Sequence, residues 1–95
     1  MNFSERNRIR CESPYGFNRR LSSWSLSDWM TMLTGEVGEA ANVVKELNCI
    51  QDNIPGNTKS RDELIRELAY ELADVAIYLD LITQVIGYDL ETIRE

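Results

Sequence analysis

Two acidic pairs constrain this chain more than anything else in it, because of where they fall. Glu36 and Glu39 lie in Gly35-Glu36-Val37-Gly38-Glu39-Ala40-Ala41, and Glu71 and Asp74 in Glu71-Leu72-Ala73-Asp74-Val75. Each pair is spaced i, i+3, which puts both carboxylates on one face of a helix, with Cβ atoms roughly 5–6 Å apart. At 100° per residue from Glu36, the positions of Trp29, Met32, Leu33, Glu39, Ala40, Val43 and Leu47 all fall within about 60°. From Glu71, those of Leu64, Leu68, Asp74, Val75, Tyr78 and Ile82 do the same. Both pairs therefore sit inside apolar stripes. A carboxylate facing a core is costly unless something neutralises it. Four of them converging repel one another, and a divalent cation is the simplest remedy.

The ligand chemistry narrows the choice of cation. The chain has no histidine. That excludes Ser-His-Asp and Cys-His nucleophiles, most zinc and iron sites, and the Glu-x-x-His pairs of a ferritin-like di-iron centre. Oxygen-only ligands select hard cations, Mg²⁺ first and Mn²⁺ as a possibility. Cys11 and Cys49 are isolated and no secretory signal precedes them, so two reduced thiols and a cytoplasmic location are expected.

Ninety-five residues suit one domain, 1–95, with a polar, Arg-rich leader over 1–20 and a helical core over 21–95. Residues 1–24 hold five Arg against two Glu, and residues 25–95 five basic against fourteen acidic groups. The acidic bulk argues against nucleic acid as a partner. No apolar run approaches the ~18 residues of a membrane span. In the leader, Ser4 caps a short turn through Arg10, and Pro14 and Gly16 end it. Arg6, Arg8, Arg10, Arg19 and Arg20 make either a solvated terminus or a phosphate-facing arm.

The first long helix starts near Ser25 or Ser27, where Ser25 and Asp28 form a capping pattern, and runs to about Asn48. Gly35 and Gly38, inside it, suit close approach by another backbone or a ligand. A loop over 49–60 carries the turn Pro55-Gly56-Asn57, with Lys59 its only cation. The second helix runs from Ser60, boxed with Glu63, to Ile86, and stops at Gly87. It is apolar on more than one face, so it calls for burial by a partner subunit. Asp89 caps a last helix over 90–95. The fold class is all-α: an antiparallel helical hairpin with short flanking helices, assembling into a multi-helix bundle as an oligomer.

Several longer stretches belong together: Trp24-Ser25-Leu26-Ser27-Asp28-Trp29, Gly35 through Asn42, Pro55-Gly56-Asn57, Glu71 through Leu81, and, more faintly, Arg10-Cys11-Glu12 and Gly16-Phe17-Asn18. With E-x-x-E on one helix and E-x-x-D on a later one, the chain resembles the MazG-like, all-α nucleoside triphosphate pyrophosphohydrolases over nearly its whole length. The resemblance implies Mg²⁺-dependent cleavage between the α- and β-phosphates of a (deoxy)nucleoside triphosphate, giving a monophosphate and pyrophosphate in a house-cleaning role. It implies a dimer, or a tetramer built from dimers. Glu36, Glu39, Glu71 and Asp74 would hold the metal, and Glu36 or Glu39 would serve as the base.

Asn42 and Lys45 match the family's run after E-x-x-E, although by helical angle only Asn42 flanks the acids. In similar proteins a Lys/Asn/Arg segment after the second pair helps bind phosphates. The sequence reaches Glu95 about where that segment would begin, so either the segment lies further on, or Lys59 and the N-terminal arginines take its place. Tyr78 and Trp24 are candidates to contact sugar or base, with a core role the alternative for Tyr78, and Trp29 reads as core. The rival class is a non-enzymatic helical oligomerisation or regulatory protein with a structural carboxylate or metal cluster.

Overall fold

The computed structural model describes residues 1–16 and 19–94. Phe17 and Asn18 of the Gly16-Phe17-Asn18 stretch, and the expected helix end at Glu95, lie outside the described residues. Among the described residues the protein is all-helical: α1 (Phe3–Glu12), a single 3₁₀ turn (Leu21–Ser23), α2 (Leu26–Gln51), α3 (Arg61–Val85) and the short α4 (Leu90–Ile93).

Local chemistry sets the boundaries. Ser25 caps α2 reciprocally with Asp28, the side chain of each accepting from the other's backbone N–H. Ser60 caps α3 by accepting from Glu63 N–H. Gly87, at φ +85°, carries the chain out of α3 through a left-handed conformation that costs glycine little. Two expected limits move. α2 continues to Gln51, which shortens the loop to 52–60, and α1 runs to Glu12 with Asn2, not Ser4, as its cap.

α2 and α3 pack antiparallel. Trp29, near the start of α2, shares a core cluster with Leu81, Ile77, Tyr78, Ile82 and Val85 near the end of α3, and Leu47 and Ile50 meet Arg61 and Ile65 at the other end. Trp29, Leu64 and Leu81 are the largest apolar side chains that are fully buried. Each contributes roughly 1.5–3 kcal/mol or more of burial energy. Trp29 also donates its Nε1–H to the Leu21 carbonyl at 3.1 Å, which fixes the 3₁₀ turn over the hairpin.

The N-terminal stretch does not behave as a solvated leader. α1 lies along the second half of α3, with Asn7 and Cys11 buried. Polar bonds dock it. Buried Asp80 accepts from Ser4 Oγ, from Asn7 Nδ2 at 3.0 Å and from Gln84 Nε2 at 2.9 Å, and Gln84 also donates to the Ser4 carbonyl. Ser4 is thus committed to α3 and not to capping its own helix. Beyond α1 the chain doubles back so tightly that a Cβ on Gly16 would stand 2.0 Å from the Arg10 carbonyl oxygen, which only glycine avoids. The turn closes where Arg19 N–H donates to the Cys11 carbonyl at 2.7 Å.

α3 is not covered on all sides within one chain. Met30, Val37 and Val44 on α2, and Ile65, Leu72 and Leu79 on α3, are 41–53% exposed. Measured from Glu36 and from Glu71, these residues lie about 80–120° round their helices in the same sense. Because the helices are antiparallel, equal rotations bring both stripes to one side of the hairpin, opposite α1. Gly35 and Gly38 admit no neighbouring backbone within the chain, since a Cβ at either would meet open space.

Candidate metal and nucleotide site

The hairpin register brings the middle of α2 against the middle of α3, and with it the two acidic pairs. Carboxylate oxygens of Glu36, Glu71 and Asp74 lie within 4.8 Å of one another. Glu36 and Glu71 are half-buried between the helices, whereas Glu39 and Asp74 are exposed. By helical angle Glu39 and Asp74 rotate about 60° toward the α1 side, so the cluster opens there and away from the bare apolar stripe.

The cluster is electrostatically unfinished. Glu36 Oε2 and Glu71 Oε2 are each buried without a hydrogen-bond partner. Burial raises the pKa of Glu36, and the charges of Glu39, Asp74 and Glu71 raise it further. For Glu71 burial again acts first, followed by the neighbouring carboxylate of Glu39 and the charges of Asp74 and Glu67. Glu39 stands outside the three-oxygen triangle but within hydrogen-bonding reach of both glutamates. Three convergent hard oxygens, two of them from glutamates that each carry an orphaned buried oxygen, fit an oxygen-loving divalent cation.

Next to the acids stands a row of aromatic rings. Tyr78 is half-buried one turn beyond Asp74, and burial, then the charges of Glu36 and Asp74, pushes its hydroxyl upward. Its ring lies 6.2 Å from that of Trp29, and Trp29 meets Trp24 edge-on at 4.7 Å. Trp29 is core, as its stripe position implies. Trp24 is half-buried and reaches the surface.

The remaining candidates are placed unevenly. Asn42 is exposed one turn beyond Glu39. Lys45 is exposed about 180° round α2 from Glu36, so within one chain it points away from the acids. Lys59 ties the 52–60 loop to α3 through a 2.6 Å bond to Glu67, one turn before Glu71. That bond keeps its ammonium more basic than usual, and the other charges near it are Glu46 and Glu63, not the four acids of the cluster. Among the arginines, Arg8 pairs with Glu12 at 3.2 Å, and Arg19 lies over the Trp24 ring, 4.1 Å from its centroid.

Glu67 went unnoticed in the sequence, and Arg19 and Cys11 were read there only as an arm residue and a reduced thiol. Glu67 adds charge beside Glu71. Arg19 reaches the aromatic row beside Cys11, where its backbone N–H meets the Cys11 carbonyl, and no local spacing announces that. No family model, curated protein or solved structure matches this chain.

Proposed function

We propose that the protein is a Mg²⁺-dependent nucleoside triphosphate pyrophosphohydrolase, converting a (d)NTP to (d)NMP and pyrophosphate in a house-cleaning role. The observation that carries the reading is the convergence of the Glu36, Glu71 and Asp74 oxygens, with two orphaned oxygen atoms, beside an aromatic row. Glu36, Glu71 and Asp74 would hold Mg²⁺, or Mn²⁺ in its place, with Glu39 completing the set. When bound, the ion supplies charge neutralisation on the triphosphate, which phosphoryl-type substitution needs more than covalent chemistry.

The chain's own residues do the rest. Glu39, beside the triangle, or Glu36 within it would take the proton of the attacking water. Tyr78 and Trp24 hold the nucleoside close to the acids, which favours attack at the α-phosphorus over the γ. Lys59, released from Glu67, and Asn42 meet the phosphates. Lys45 could serve only a site on another subunit.

The working unit is a homo-oligomer, a dimer or a tetramer. The chain exposes 6901 Å², against roughly 5,600 Å² for a compact monomer of its mass. Its radius of gyration is 16.1 Å, against about 12.4 Å expected for a compact chain of this length. The apolar stripe through Val37, Val44, Leu72 and Leu79 would take a second copy and assemble a multi-helix bundle. Cys11 and Cys49 are free thiols, which suits the reducing cytoplasm. Among the described residues no helix is long and apolar enough to cross a membrane.

A structural cation in a non-enzymatic oligomer would be enclosed by protein ligands. Here Glu39 and Asp74 face outward, which favours the enzyme. The test is turnover of each common NTP and dNTP with Mg²⁺ in ¹⁸O water. Labelled monophosphate with unlabelled pyrophosphate is expected. Diphosphate with labelled orthophosphate would make the protein a phosphatase, and no turnover of any nucleotide would favour the regulatory oligomer.

A further inference from the structure

Cys11, Arg19, Trp24, Trp29 and Tyr78 enclose a cavity of about 220 Å³ on the flank where the acids open. Sites for whole drug-sized ligands start at about 300 Å³, so this space suits one planar ring system. Its walls are aromatic, and Cys11, with no exposed surface, closes it from within. The Arg19 guanidinium lies over Trp24 from the open side. A guanidinium is flat and rests on ring faces, so it marks a place where a planar group already stacks.

The polar groups of the cavity are lopsided. Trp29 Nε1–H is committed to the Leu21 carbonyl, and the Cys11 thiol to the Arg19 carbonyl at 3.1 Å. Among the described residues no carboxylate and no side-chain amide lines the space, and the Tyr78 hydroxyl is a further polar side-chain group there. Arg19 brings five N–H donors, and among the described residues its guanidinium forms neither a hydrogen bond nor an ion pair. A ring bearing carbonyl oxygens would meet strong donors here. A ring whose recognition edge depends on an exocyclic amine would meet no charged acceptor.

We propose that this cavity takes the nucleobase and that Arg19, sliding along Trp24, donates to ring carbonyls, so that uracil, thymine and guanine are preferred over adenine. The proposal rests on the pyrophosphohydrolase reading for its ligand class, but it concerns the base alone and needs neither metal nor turnover.

Trp24 and Trp29 are the only tryptophans in the sequence, so indole fluorescence reports occupancy directly. Uridine, guanosine and adenosine, without phosphates and with EDTA present, are titrated into the wild-type protein and into Arg19→Gln and Arg19→Lys. Uridine and guanosine should bind about fivefold or more tighter than adenosine. Arg19→Gln should abolish that preference and leave adenosine unchanged, with Arg19→Lys intermediate because its ammonium keeps charge but not the planar stack. Melting curves identify a variant that fails to fold, in which case the other carries the comparison. Equal binding of adenosine, or a preference untouched in both variants, overturns the proposal. Pyrophosphate release by the same preparations with Mg²⁺ separates the two readings. Selective quenching without turnover keeps this proposal and removes the hydrolase, whereas turnover indifferent to base and to Arg19 does the reverse.

Discussion

On one flank of the α2–α3 hairpin four carboxylates, those of Glu36, Glu39, Glu71 and Asp74, gather. On the other flank Val37, Val44, Leu72 and Leu79 stand half exposed with no polar neighbour between them on their stripes. Both surfaces are energetically incomplete, but in different currencies. The acidic flank crowds like charge, and the groups that suffer are two glutamates whose buried oxygens have no donor. The apolar flank lacks cover, and what suffers is solvent-facing hydrocarbon. The difference teaches what each would accept: the first something small and positive, the second something broad and greasy. They lie on opposite sides of the hairpin, so each can be filled without obstructing the other.

The sharpest way to break this contrast is to alter the acids. Glu36→Gln or Glu71→Gln should lower the rate of pyrophosphate release by at least about a hundredfold. Yet the metal-free protein should melt no lower, because a like charge leaves a crowded site. Variants that unfold but keep their specific activity would make the acids structural. A comparable effect is expected from adding the ion to the wild type. Magnesium at a hundredfold excess over its Kd should stabilise the fold by about 2.7 kcal/mol, seen in thermal melts against Na⁺ of equal ionic strength. Identical melts would remove the ion from the acidic flank.

The apolar flank should answer to a different perturbation. Leu72→Lys puts a charge on the stripe proposed to self-associate and should weaken association by roughly thirtyfold, as loss of a ~2 kcal/mol contact does. Sedimentation would show it, and pyrophosphate release per folded site tells whether the two flanks are coupled. A wild-type protein that sediments at 11.0 kDa would mean the stripe is a tolerated patch.

The smallest effect is in pH. Glu36 and Glu71 have folded-state values raised above the ordinary 4.5, so the metal-free fold binds their protons more tightly than the unfolded chain does. Their contribution to stability is present below that ordinary value and is lost as pH rises through the raised ones. Melts in EDTA should therefore fall more steeply with rising pH for the wild type than for the Glu36→Gln, Glu71→Gln double variant. Equal slopes would mean that the acids do not feel one another.

Most of the hairpin was legible because its determinants are local. Ser25 with Asp28 and Ser60 with Glu63 announce the helix starts, and the 3.6-residue recurrence of Trp29, Leu33, Ala40, Val43 and Leu47 sets which face α2 turns inward. The acidic pairs were legible as members of those stripes. α1 was not, because its sequence carries five charged side chains over Phe3–Glu12 and no apolar stripe. What docks it is a set of polar partners some seventy to eighty residues away in the chain, and Asp80 looks in sequence like one more surface acid. The place of Arg19 was hidden for the same reason, since it depends on that docking.

The latch on Asp80 also determines how the molecule comes apart. α1 is held to α3 by hydrogen bonds from Ser4, Asn7 and Gln84 more than by buried hydrocarbon, and it carries Cys11, with Arg19 bonded to it at the end of the returning turn. Segments held this way open at lower free energy than a helix pair locked by Trp29, Leu64 and Leu81. The aromatic chamber is thus assembled from a durable half and a detachable half. Breathing of a ten-residue helix would be enough to dissolve its floor and lid while the carboxylates on the hairpin stayed in register, so occupancy of the chamber would show up first as slower amide exchange in α1.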